Sequence, residues 1–75
     1  MKTVYFTRHA IRRMQLYQIE QDQVILTIRE PNRLLPSIKE RYNAIREIGD
    51  QMLRVTYREE LTRFVVVTVT PRKMF

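Results

Sequence analysis

Apolar residues recur at helical spacing in the first part of the chain. Residues 3–6 are β-branched or aromatic and predict a short strand or an extended lead-in. Thr7 follows them, and its hydroxyl can cap a helix that runs from residue 8 to about residue 18. The apolar stripe of this helix consists of Ala10, Met14 and Tyr17. The pattern therefore predicts an amphipathic first helix with arginine residues near its rim.

A second amphipathic helix is predicted after a break at residues 19–22. Its buried face is formed by Val24, Ile25 and Ile28. Pro31 ends this helix, because the residue that precedes a proline avoids helical backbone angles. Residues 32–37 contain a further proline, Pro36, and we expect them to form an extended connector.

The rest of the chain alternates between apolar and polar residues, as strands do. Strands are predicted at residues 41–48, 52–58 and 63–70, with a turn at Gly49-Asp50 and a strand end at Pro71. The middle strand has one face with Leu53, Val55 and Tyr57 and another with Arg54, Thr56 and Arg58. The last strand has one face with Val65, Val67 and Val69 and another with Phe64, Val66 and Thr68. Because both faces of the last strand are apolar, we expect it to lie inside the sheet.

These elements predict an α+β fold, in which a short N-terminal strand and two helices pack on a three- to four-stranded antiparallel meander. At this length, residues 1–75 form a single domain with a thin core. The helices must cover one face of the meander, which leaves Arg54, Thr56 and Arg58 beside Thr68 on the other face. Two interpretations of that polar face stay open: a phosphate-binding surface, or the ordinary solvated side of a half-exposed sheet.

Composition narrows the classes of partner. The net charge is +6, from 14 Lys and Arg against 8 Asp and Glu, and arginine dominates the cations. Guanidinium groups bind phosphate and carboxylate in a bidentate way, so nucleic acid or an acidic protein is the expected partner, with an ordinary basic surface as the alternative. The chain has no cysteine and one histidine, so we expect no metal ion and no cofactor. No apolar run is long enough to cross a membrane, and a cytoplasmic location is the default expectation.

Several short motifs together carry a family resemblance. Residues 6–14 fit the pattern F-T-x-H-A-x-x-R-M. Further motifs follow in the same order, at Ile19 with Asp22 and Val24, Glu30-Pro31, Arg41-Tyr42, residues 53–57 and residues 65–72. The chain thus resembles the family called domain of unknown function 4258, which consists of small bacterial and archaeal proteins. Tyr17-Gln18 stands where the family commonly has an R-G pair, and Glu20 stands where it commonly has a serine cap.

The resemblance implies a fold similar to RelE-like and BrnT-like toxins, which cleave RNA, often on the ribosome, and are neutralised by an antitoxin. On this basis we expect a small, basic, RNA-directed protein of a toxin–antitoxin pair, acting as a metal-independent ribonuclease. Its expected partners are RNA, with or without the ribosome, an acidic antitoxin and, through an exposed edge strand, a second copy of the chain. A non-catalytic nucleic-acid-binding module and a protein-interaction subunit are the alternatives.

Candidate site residues follow from the chemistry of RNA cleavage. His9 is the candidate general base or acid, Arg13 and Arg54 are candidate phosphate ligands, and Tyr57 is a weaker candidate for proton transfer. Further contacts to nucleic acid are expected from Arg8, Arg12, Arg58, Arg72 and Lys73. Structural alternatives stay open for three of the residues named. His9 could cap the backbone or pack on a strand, Arg13 could pair with Asp22 or Glu47, and Tyr57 could belong to the core.

Overall fold

The computed structural model describes residues 2–73, without the side chain of Lys73. The elements in chain order are β1 (Thr3–Phe6), α1 (Arg8–Tyr17), α2 (Gln21–Arg29), β2 (Arg33–Pro36), β3 (Tyr42–Ile48), β4 (Gln51–Glu59) and β5 (Arg63–Lys73). Within residues 2–73, neither helix has the length and apolar character needed to cross a membrane.

The five strands form one mixed sheet in the order β1-β5-β4-β3-β2. β1 runs parallel to β5, and the other neighbouring pairs are antiparallel. The predicted α+β class is therefore right, but the predicted three- to four-stranded antiparallel meander of RelE-like type is wrong. Two short strands account for the difference, because β1 joins the sheet beside β5 and β2 extends it beyond β3.

β2 occupies the segment that was expected to be a connector. It pairs with β3 so that Leu34 lies opposite Ala44, and Ser37 N donates to Arg41 O (2.8 Å) where the hairpin closes. Because backbone groups alternate in direction along a strand, this bond places the nitrogen of Pro36 on the outer side. A proline is tolerated at such an edge, where no partner strand needs its missing N–H.

Local capping chemistry sets the helix boundaries. Thr7 Oγ1 accepts from Ala10 N (3.1 Å) at the start of α1. Gln18 ends α1 with φ = 57°, a left-handed conformation in which its N–H reaches the last turn of the helix. α2 begins after Glu20, whose N–H donates to the side chain of Gln23 (2.9 Å).

A β-bulge changes the face pattern of β5. Thr56 lies opposite Thr68, whereas the next residue of β4, Tyr57, lies opposite Val66, which leaves Val67 as an extra residue. Val66 and Val69 therefore both enter the core on the helix side. The predicted face of Val65, Val67 and Val69 is wrong, because the strict alternation on which it relied breaks at the bulge.

β5 is also longer than predicted, since Pro71 lies inside the strand, opposite Leu53. β1 ends at Phe6, beside Val66, so the part of β5 that follows Val66 and contains Pro71 is an edge of the sheet. Proline at position 71 therefore interrupts no ladder on that side.

The core lies between the two helices and one face of the sheet. α1 packs on β5, and α2 packs on β4 and β3. The core residues are Ala10, Met14, Val24, Ile28, Ala44, Leu53, Val55, Tyr57, Val66 and Val69. This arrangement leaves the other face of the sheet free to carry polar side chains.

Candidate nucleic-acid interface

The sheet face that points away from the helices is polar and basic, and we call it the open face. Its central residues are Asn43, Arg54, Thr56, Arg58, Thr68, Thr70 and Arg72. Thr56 lies opposite both Asn43 and Thr68, and Arg54 lies opposite Thr70. The prediction that Arg54, Thr56 and Arg58 share a face beside Thr68 is confirmed.

The start of α1 closes the edge of β5 where β1 ends. Thr7 N donates to Val66 O (3.2 Å), and Thr7 Oγ1 donates to Val67 O (3.1 Å). One residue thus caps the helix and satisfies two strand carbonyls that would otherwise be unpaired. The first turn of α1 is held against the edge of the sheet in this way.

This placement brings His9 to the open face. Its Nε2 lies 3.0 Å from Thr68 Oγ1, although 59 positions separate the two residues in the chain. The imidazole is exposed to solvent and has not been drawn into the core. Of the structural alternatives considered for His9, the contact is with a strand side chain and not with a backbone cap.

A row of hydrogen-bonding groups continues from His9 across the sheet. Thr68 faces Thr56 on the neighbouring strand, and Thr56 Oγ1 donates to Asn43 Oδ1 (2.6 Å). The four side chains His9, Thr68, Thr56 and Asn43 span α1, β5, β4 and β3, and we call them the polar row. Because a threonine hydroxyl both donates and accepts, the row can adapt to ligand groups of either kind.

Two arginine residues lie on the open face beside the polar row. Arg54 and Arg72, with Ile45 and Met52, line a shallow depression of this face. Neither guanidinium makes an ion pair with a carboxylate among residues 2–73. Both cations therefore keep their hydrogen-bonding capacity for an external anion.

Arg58 differs from Arg54 and Arg72, because it forms an ion pair within the chain. Glu60 accepts from Arg63 Nε (2.8 Å) and from Arg58 Nε (3.1 Å). Both bonds hold the pKa of Glu60 below its usual value, and the bond from Arg63 has the larger effect. Arg58 thus lies on the predicted surface, but the carboxylate of Glu60, which also pairs with Arg63, partly neutralises its charge.

Arg13 is also occupied by internal contacts. Its Nε donates to Val69 O (3.4 Å), and its guanidinium lies over the ring of Tyr17, 5.0 Å from the ring centre. Arg13 therefore supports α1 against the edge of β5, without the acidic partner considered in the sequence analysis. Its position one helical turn after His9 still places it at the same edge.

Tyr57 lies on the other side of the sheet from His9. Tyr57 is 5% exposed, and its ring packs between Tyr42 (5.8 Å between ring centres) and Phe64 (5.6 Å). Burial raises the pKa of Tyr57, with smaller contributions from the charges of Glu59 and Tyr42. The sheet thus brings His9 and Arg54 to one face and separates Tyr57 from both.

Of the remaining predicted contacts, Arg72 lies on the open face. Arg8 and Arg12 are exposed on α1, and Arg72 belongs to the depression described above. The side chain of Lys73 lies outside the described residues.

Sequence reasoning missed Asn43 and Tyr5 as members of this surface. The alternation of β3 could have indicated Asn43, whereas nothing local indicates that β1 joins the sheet.

The arrangement offers anion binding and hydrogen bonding. Among residues 2–73, no three His, Cys, Asp or Glu side chains come together as a metal site would require. On the open face, Arg54 and Arg72 have no ion pair within the described residues, His9 exposes its imidazole, and the polar row adds hydroxyl and amide groups. Such groups suit a ligand with phosphates and with polar edges.

Comparisons with known proteins give a family and no function. No curated protein and no solved structure matches the chain, so the expected likeness to RelE-like and BrnT-like toxins is not confirmed. The family described as "Domain of unknown function (DUF4258)" matches residues 6–71, which include both helices, the polar row and Arg54. The protein therefore belongs to the DUF4258 family.

Proposed function

We propose that this protein binds single-stranded RNA on its open face. The observation that carries the proposal is the position of Arg54 and Arg72, free of ion pairs among residues 2–73, beside a polar row that ends at the exposed imidazole of His9. A net charge of +6 favours the approach of a polyanion to such a face.

The shape of the surface supports a single strand over a duplex. Side chains that project from a sheet contact splayed bases readily, whereas duplex grooves are usually read by an inserted helix or ribbon. Tyr5 adds an aromatic ring to this face; it is 49% exposed, and Arg63 lies 4.8 Å from its centre. Bases stack on aromatic rings and on guanidinium planes.

The polar row supports RNA over DNA. Its hydroxyl and amide groups, on Thr56, Thr68 and Asn43, can donate to and accept from a ribose 2′-OH. DNA lacks this hydroxyl, so we expect weaker binding of a DNA strand with the same bases.

Fluorescence anisotropy with a labelled twelve-nucleotide RNA tests the proposal. Arg54→Ala should weaken binding by about tenfold, because a charge-assisted bond to phosphate is lost. Arg29→Ala is the matched control: it removes the same charge from the exposed end of α2, on the helix side of the sheet. Equal effects of the two substitutions, or no salt-sensitive binding by the unmodified chain, would refute binding at this face.

A ribonuclease of the toxin type is a second candidate, favoured by the exposure of His9. A general base would take the 2′-OH proton, the oxygen would attack the adjacent phosphorus, and the 5′-oxygen would leave with a proton. His9 can move both protons in turn, while Arg54 is available for the phosphate charge. Tyr57 has no part in this scheme, because it lies on the opposite face.

Incubation of the protein with RNA in the presence of a chelator tests cleavage separately from binding. His9→Ala should abolish cleavage, because it removes the general base. It should change the affinity measured by anisotropy by less than about threefold, because the arginine residues and the rest of the polar row still contact the RNA. Expression without a partner should arrest growth, and His9→Ala should relieve the arrest. Binding without cleavage would leave the first proposal and remove the second.

A further inference from the structure

The β2 edge carries an exposed apolar surface. All four residues of β2 are exposed, with Leu34 at 49% and Leu35 at 37%. Ile38 (71%) in the β2–β3 turn and Tyr42 (38%), opposite Pro36, add to this apolar surface. Both helices pack elsewhere, on β5, β4 and β3. A surface of this kind in a small chain commonly marks an interaction site.

The backbone of β2 also offers unpaired groups to a further strand. Because Ser37 N bonds to Arg41 O, positions 37, 35 and 33 face β3, and positions 34 and 36 face outward. The outward groups are the N–H and C=O of Leu34 and the C=O of Pro36. An added strand can therefore make three backbone hydrogen bonds here, two of them as the donor.

The side chains of the edge define the chemistry of the added strand. Leu34 and Pro36 lie on the helix side of the sheet, since Leu34 is opposite the buried Ala44. Arg33 and Leu35 lie on the open face, opposite Ile45 and Asn43, and Arg33 is the charged group of this edge. A complementary strand would alternate apolar side chains on the first side with acidic side chains on the second.

Charge and geometry both disfavour a second copy of the chain at this edge. Each copy has a net charge of +6 and brings its own Arg33 to the contact. Pro36 has no N–H, so symmetric pairing centred on Leu34 gives only the two reciprocal bonds of Leu34. An acidic partner has neither disadvantage.

We infer that β2 is a docking edge that takes an extended, acidic and alternately apolar segment of another protein as a sixth strand. The segment binds by backbone pairing at Leu34 and Pro36 and by contact of its carboxylates with Arg33. This inference does not rest on RNA binding, because the backbone groups of β2 and Arg33 are not among the residues that carry the RNA proposal.

A capped eight-residue peptide that alternates valine with glutamate serves as the probe. It is titrated into the isotope-labelled full chain and followed by NMR, together with a control peptide in which lysine replaces glutamate. We expect the glutamate peptide to shift the resonances of residues 33–37 and to protect the Leu34 amide from hydrogen exchange. The lysine peptide should bind at least about tenfold more weakly, because it places like charge beside Arg33.

The matched pair of variants is Leu34→Asp and Leu61→Asp. Leu34→Asp should weaken the glutamate peptide by at least about tenfold, because it removes apolar contact and adds repulsion. Leu61, 92% exposed in the β4–β5 turn, receives the same change away from β2 and should have little effect. Circular dichroism of both variants establishes that they are folded.

Three results would overturn the inference. The first is a set of shifts that maps outside β2, and the second is equal binding of the two peptides. The third is a dimer of the free chain by light scattering that Leu34→Asp converts to a monomer, which would assign the edge to a second copy.

Discussion

The two faces of the sheet belong to the same strands, but their side chains make different interactions. On β4, Leu53, Val55 and Tyr57 are at most 5% exposed beneath the helices, whereas Arg54 and Thr56 alternate with them on the half-buried open face. The covered face is held by close packing of apolar side chains. The open face is held by single hydrogen bonds and ion pairs. Stability therefore comes mainly from one face, and the other is free to present binding groups.

The largest expected effect is a difference in unfolding free energy between substitutions at two adjacent residues, one on each face. Leu53→Ala should lower the free energy of unfolding by about 2–4 kcal/mol, because it leaves a cavity beneath the helices. Met52→Ala, one residue earlier and on the open face, should cost less than about 1 kcal/mol. Urea denaturation of the two variants measures both values. Equal losses would show that the open face contributes as much packing as the covered face.

A smaller effect is expected where the two faces meet, at the edge of β5. Thr7→Ala should cost about 1–2 kcal/mol, because Thr7 caps α1 and also donates to Val67 O. Thr7→Ser is the control, since it retains the hydroxyl and both bonds. NMR should show that only the alanine variant loses the contact between His9 and Thr68. Equal stability of the two variants would contradict the energetic role of the cap, and a retained His9–Thr68 contact in the alanine variant would contradict its role in placing His9.

The smallest effect is confined to alkaline solution. Burial raises the pKa of Tyr57 above its ordinary value of 10.0, so the folded chain holds this proton more firmly than the unfolded chain. Its contribution is fully present below pH 10 and is lost as pH rises through the raised pKa. Tyr57→Phe removes the titration, so its stability should fall less than that of the unmodified chain between pH 9 and pH 11. Thermal unfolding at several pH values checks this; identical alkaline slopes would contradict the assigned cause.

Local patterns predicted much of the fold. Helical spacing and the cap at Thr7 placed both helices to within a few residues, and alternation placed β3 and β4. Alternation also put Arg54 and Thr56 on one face with Thr68, because both strands keep their period up to the bulge.

The remaining features depend on contacts between distant parts of the chain. β2 is short, ends in Pro36 and becomes a strand only because β3 lies beside it. The parallel pairing of β1 with β5 joins residues sixty positions apart and leaves no local signal. The contact of His9 with Thr68 follows from that pairing, so the sequence could nominate His9 but could not place it.

The chain has one glycine, and it serves the β3–β4 turn at φ = 62°. Gln18, Lys39 and Glu40 adopt similar left-handed angles with side chains attached. Each such residue carries about 1–2 kcal/mol of conformational strain that a glycine would avoid. The end of α1 at Gln18 and the β2–β3 hairpin therefore hold a reserve for thermostabilisation. None of these three residues belongs to the polar row, so a more thermostable variant could keep the side chains of its open face unchanged.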